Sequence, residues 1–176
     1  MSLTLIKETG AGLANANAYA DVADGDAYHD GHLYASAWTG AAADQKAAAL
    51  VMASRLIDAE YQFGGTRFKT TQALQWPRQD CRDTDADGWA GGTVASTFVP
   101  KSVVDATCEM ARELLITDRT AAPAGEGLKY QNAGGNQTGY DKSDTRPIIS
   151  RVAQAMLAKY GALLKSKSGA VRLVRV

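Results

Sequence analysis

The sequence predicts a mainly α protein: a small helical bundle of about four helices that carries a long ordered loop, a glycine-rich β-hairpin or arm and an extended basic C-terminal tail. Three observations predict it. Apolar residues recur at helical spacing over residues 41–61 and 100–115. Between Thr66 and Val99 that periodicity is lost, yet Phe68, Leu74, Trp76, Trp89 and Phe98 keep the stretch too apolar for a disordered linker. From Thr145 onward, seven basic residues and no acid follow. At 176 residues, 45% of them hydrophobic, the chain can bury one sizeable core, whereas two domains would each be small. A single domain over 1–176 is expected, with its helical core at about 20–164, the arm at about 124–142 and the tail at 165–176.

Each element has a local reason. Asp21 and Asp24 make a weak capping box that opens a first helix through Tyr28, and Gly31 interrupts it. A second helix fits from about Ala41 to Tyr61, where Leu50, Ser54, Ile57 and Tyr61 share one face and the alanine-rich start has high intrinsic propensity; Gly64 and Gly65 end it. After the long loop, Pro100 suits a first helical position. Lys101, Asp105, Glu109, Arg112 and Glu113 then form a polar stripe opposite Val103, Val104, Met110, Leu114 and Leu115. Gly134 and Gly135, flanked by Leu128, Tyr130 and Tyr140, predict the hairpin. Ser143 or Asp144 caps a fourth helix with Pro147 near its start and Ile149, Val152, Met156, Tyr160 and Leu163 along one side. Residues 170–176 alternate as a terminal strand, which is read either as an edge strand added to a neighbouring subunit or as a frayed tail.

Composition narrows the function. No run approaches the roughly 20 apolar residues that span a bilayer, and the first twelve positions lack a basic segment followed by an apolar one. A cytosolic chain without membrane partners is expected, with Cys81 and Cys108 as reduced thiols and Cys108 in the core. The formal net charge of +0 removes global attraction to nucleic acid. The distribution is polar, however: Glu8, Asp21, Asp24, Asp26 and Asp30 crowd one end and the basic residues the other.

Candidate chemistry is sparse. Asp83, Asp85, Asp87 and Gly88 reproduce the first half of a calcium loop, but Val94 stands where the closing glutamate belongs, so a turn built by Asp and Gly is the better reading. His29 and His32 are spaced like metal ligands, with no partner motif, and are expected as solvated surface histidines. No nucleophile elbow, phosphate loop or dinucleotide fingerprint occurs. Neither an enzyme nor a cofactor or metal site is expected. Trp76, Arg78 and Arg82, with Arg67 and Lys69 nearby and Phe68 and Trp89 interleaved, match the stacking and phosphate groups of a single-strand binder. Against that, Asp80, Asp83, Asp85 and Asp87 cancel much of the field, and the tryptophans serve equally to pin the loop to the helices.

The segments Asp21-Val22-Ala23-Asp24-Gly25-Asp26-Ala27-Tyr28, Ala73-Leu74-Gln75-Trp76-Pro77-Arg78, Asp85-Ala86-Asp87-Gly88, and Pro100 leading into Val104, Ala106 and Glu109 occur in this order between about Thr9 and Leu164. Together they resemble the phage family labelled DnaT-like single-stranded-DNA-binding protein, which is similar to the head-tail connector (adaptor) proteins of tailed bacteriophages. The resemblance implies a structural connector that is made in the host cytoplasm and assembles in the virion as a homo-oligomeric ring. Its implied partners are itself, the portal protein and tail-completion proteins, with DNA a further one. Candidate subunit or portal contacts are Lys165, Lys167, Arg172 and Arg175 of the basic tail. The alternative is single-stranded-DNA binding through Trp76, Arg78 and Arg82. A third reading, a calcium-stabilised module, requires metal-dependent folding.

Overall fold

Nine residues after the double-aspartate opening, the first helix has already ended; its shape shows how local chemistry sets the frame. The structure, a computed structural model, describes residues 3–85, 92–121, 130–133, 136–139 and 146–164. Helix α1 (Val22–Asp30) starts from Asp21, whose carboxylate accepts the Asp24 amide while Asp24 accepts the Asp21 amide, a complete capping box. A single turn, α2 (Ser36–Thr39), carries Trp38 into the core. Helix α3 (Ala43–Glu60) passes directly into strand β1 (Tyr61–Phe63), so it ends before Gly64 rather than at it.

The long loop is not free of regular structure. It contains β2 (Thr66–Arg67) paired with β3 (Arg78–Gln79), and β4 (Arg82–Asp83) paired with β5 (Gly92–Thr93), both antiparallel. Helix α4 (Lys101–Ile116) follows, with Pro100 as its N-cap. Strands β6 (Tyr130–Ala133) and β7 (Asn136–Gly139) form the hairpin, in register Ala133 opposite Asn136. Helix α5 (Arg151–Leu157) begins at Ser150, whose Oγ accepts the Ala153 amide at 3.2 Å, well after Ser143 and Asp144. Strand β8 (Gly161–Leu163) then closes antiparallel on β1.

The expected mainly α bundle is therefore corrected. Among the described residues, five helices share the fold with four two-stranded antiparallel sheets, a mixed α and β architecture. The strands are two to four residues long, too short for an alternating pattern to separate them from loop. Gly161 is required where β8 meets β1: a Cβ there would lie 2.4 Å from the Gln62 carbonyl oxygen.

Helix α4 is the hub. It packs against α1, α2, α3 and α5, and buries Val103, Ala106, Cys108, Met110 and Ala111, but also Thr107, Glu109 and Arg112. The expected solvated stripe is thus broken: Glu109 and Arg112 lie inside, paired to each other. Trp38, Trp76, Tyr19, Leu50, Ile57 and Leu157 are fully buried around this helix. Cys81 and Cys108 are both buried free thiols, and burial pushes the Cys108 thiol up to about 12. No described helix is long and apolar enough to cross a membrane.

Two polar clusters tie the irregular segments down. The Glu8 carboxylate, itself buried, accepts the amides of Gly10, Gly12 and Leu13 at 2.7–2.9 Å, folding the N-terminal segment around one charge. Asp58 of α3 accepts the Tyr19 hydroxyl and, at 2.9 Å, the Gln75 amide, while Trp76 donates its amide to Tyr19 Oη. Burial raises the Asp58 carboxyl to about 6.

Gly25 shows why a glycine stands inside α1. A Cβ there would meet the Trp38 ring at 2.2 Å, and that ring is held by its Nε1–H donating to Asp26 Oδ1 at 2.8 Å. Gly25→Ala is expected to destabilise the protein by about 1–3 kcal/mol despite alanine's better helix propensity, measured by equilibrium urea unfolding; an unchanged or raised stability would show that the ring gives way freely.

Candidate nucleic-acid interface

The residues nominated as strand contacts separate in the structure. Trp76 has 0% exposure, its ring edge-to-face with Phe63 and Tyr160 at centroid distances of 5.7 and 5.4 Å. Arg78 is 7% exposed, and its guanidinium is consumed by the carbonyls of Phe63, Gly64, Gly65 and Gln75 and by Gln75 Oε1. Neither presents a surface to a ligand; both hold the loop. Arg82 is exposed, on β4.

Other sequence candidates resolve as follows. His29 is buried rather than solvated, its Nε2 against the Cys108 carbonyl at 3.2 Å, and burial lowers its basicity. His32 is half-buried, with Nε2 3.9 Å from Glu109 Oε2. Asp83 accepts the Asp85 amide at 3.1 Å, a local turn, and Asp85 pairs with Lys159 from beyond α5. Asp87, Gly88 and Trp89 lie outside the described residues, as do Lys165, Lys167, Arg172 and Arg175. Among the described residues, no cluster of three potential metal ligands occurs.

A different set of basic residues comes together beside α4. The C-terminal half of α4, the turn after it and the segment leading into α5 enclose a groove of about 460 Å³ lined by Arg112, Arg119, Arg146 and Arg151, with Glu109 and Glu113 on its floor. Arg112 Nη2 donates to Glu109 Oε1 at 2.6 Å and to Glu113 Oε1 at 2.8 Å, and the bond to Glu109 raises its basicity. Arg119 is braced from three sides: Glu113 Oε2 at 3.0 Å, Ile148 O at 2.7 Å and Pro147 O at 2.7 Å. Burial, then the neighbouring Arg146 charge, lower its basicity.

Local sequence explains the placement. Asp118 accepts the amides of Thr120 and Ala121, turning the chain sharply after α4 and aiming Arg119 back across the groove. Ser150 caps α5 and donates its amide toward Met110 Sδ at 3.3 Å, which seats the Arg146–Arg151 segment against α4. Arg146 and Arg151 are exposed, and no carboxylate among the described residues pairs with them. Four guanidinium groups thus face two carboxylates, and the two inner arginines hold the carboxylates while the two outer ones face water. Exposed, forked guanidinium groups of this kind suit phosphate oxygens.

The sequence flagged Arg146 and Arg151 within its basic C-terminal segment but placed no site there. Arg112 read only as part of the polar stripe of α4 and Arg119 carried no signal, because their joining with Arg146 and Arg151 depends on α5 docking against α4 from far along the chain.

A family model described as "Putative DnaT-like ssDNA binding protein" matches residues 3–176. No curated protein and no solved structure matches the chain.

Proposed function

We propose, from the fact that the chain belongs to the family of DnaT-like single-stranded-DNA-binding proteins, that it binds single-stranded DNA along the arginine groove beside α4. The observation that carries the reading is the pair of exposed guanidinium groups, Arg146 and Arg151, gathered next to Arg119 although the whole chain is neutral. Like charges held together lower each other's stability, so a cluster of them suits an anionic ligand. Phosphates of a strand would engage Arg146 and Arg151 from solvent, with Arg119 behind them. The role is one of binding, not catalysis.

Arg146→Glu combined with Arg151→Glu is expected to weaken binding of a labelled oligothymidylate by about tenfold or more, and to make the salt dependence shallower by about 0.7 log units per log unit of salt for each lost contact. Arg55→Glu, on the exposed face of α3 outside the groove, serves as control. Unchanged binding in the double variant, with its fold intact by circular dichroism, would sink the groove as the site.

A second reading is supported by the hairpin. Among the described residues, strands β6 and β7 pair with each other and with no other strand, as an arm given to a neighbouring molecule would. On this reading the protein is a head-tail connector of the virion, forming a ring between portal and tail components, and the arginine groove serves a protein or DNA contact within that ring. Light scattering of the protein alone and with its portal ring separates the two readings.

A further inference from the structure

We infer that the Leu33–Tyr34 loop is the base-stacking element of the same interface, so that a strand whose phosphates lie on the arginine groove places a base on the Tyr34 ring. This rests on the single-stranded-DNA reading and adds the aromatic platform that such binding needs, since Trp76 is sealed in the core.

Leu33 is 93% exposed and Tyr34 76%, two large apolar side chains side by side that add nothing to the core. Their backbone is nonetheless held. The His32 amide donates to the His29 carbonyl at 3.0 Å, and the Tyr34 amide donates to His32 Nδ1 at 3.1 Å. With Nδ1 accepting, the neutral imidazole carries its proton on Nε2, which faces Glu109 Oε2 at 3.9 Å. Glu109 is the carboxylate that grips Arg112 at the groove floor. The His32 ring lies edge-on to Tyr34 with centroids 6.4 Å apart. Glu109 thus touches both the groove and His32, and His32 lies beside an exposed aromatic ring on a held backbone. A tyrosine presented this way accepts any base face, which suits binding without sequence preference.

The test uses the full chain with a labelled oligothymidylate and a matched abasic strand. Tyr34→Ala is expected to weaken oligothymidylate binding by about 5- to 150-fold, the loss of one stacked base, with the salt slope unchanged. Tyr34→Phe keeps the affinity, and wild-type protein binds the abasic strand as weakly as Tyr34→Ala does. If Tyr34→Ala binds like wild type while the Arg146→Glu, Arg151→Glu variant does not bind, the stacking role is overturned and the groove stands. If the wild-type protein binds neither strand, the inference falls together with the function it rests on.

Discussion

Trp76→Ala is expected to destabilise the protein by about 3–5 kcal/mol, the cost of emptying a large aromatic site in a core that collapses only partly. The ring has no exposure and sits edge-on between Phe63 of β1 and Tyr160 beyond α5. Its amide also joins the Tyr19–Asp58 network. One side chain thus fastens the segment after β2 to the β1–β8 pair and to α3. Equilibrium urea unfolding measures the loss. DNA affinity of the folded fraction should be unchanged, since the ring does not reach the arginine groove. A loss near zero would contradict the anchoring role and return the ring to the surface.

Arg78→Met is the second large effect, with an expected loss of about 3 kcal/mol from several charge-assisted hydrogen bonds removed together. Its Nε donates to Gly64 O at 2.5 Å, its Nη1 to Gln75 O and Oε1 at 3.1 and 3.0 Å, and its Nη2 to Gly65 O at 2.7 Å and Phe63 O at 3.3 Å. The Phe63, Gly64 and Gly65 carbonyls lie at the turn between β1 and β2 and Gln75 just before β3, so the guanidinium acts as the template that holds the turn to the incoming strand. Arg78→Lys should recover little, because an ammonium point charge cannot reproduce a planar fork reaching five acceptors. Full stability in the lysine variant, read from the same unfolding curves, would show that charge alone suffices.

These two residues also mark where sequence reasoning reaches its limit. Tryptophan beside arginine in an aspartate-rich loop has the same composition whether the pair stacks on bases or pins a turn. Only burial separates the cases, and burial depends on β1, β8 and α5 meeting across about a hundred residues. Elements governed by local chemistry were legible: the Asp21 and Asp24 box, α3, α4 after Pro100, and the hairpin around Gly134 and Gly135. The mixed architecture was not. Strands of two or three residues owe their existence to Arg78, Asp58 and partner backbone rather than to any period. Likewise α5 starts at Ser150, because the Met110 sulfur and the core decide which of several capping residues is used. Glu109 and Arg112 read as part of a solvated stripe, yet both are buried at the floor of the groove, where the Arg112 guanidinium is satisfied by Glu109 and Glu113 together. The arginine groove was half legible: the basic segment named Arg146 and Arg151, while the turn that brings Arg119 beside them follows from Asp118 bonding its own backbone.

Whether this chain holds single-stranded DNA on clustered arginines is decided by titrating wild-type protein into labelled oligothymidylate at salt concentrations between about 50 and 200 mM. Two exposed phosphate contacts predict a logarithmic slope of about −1.4 or steeper, at roughly −0.7 per contact for a single strand. No binding at the lowest salt, from a protein that instead forms a defined ring with its portal, would contradict the claim and give the groove to a subunit contact.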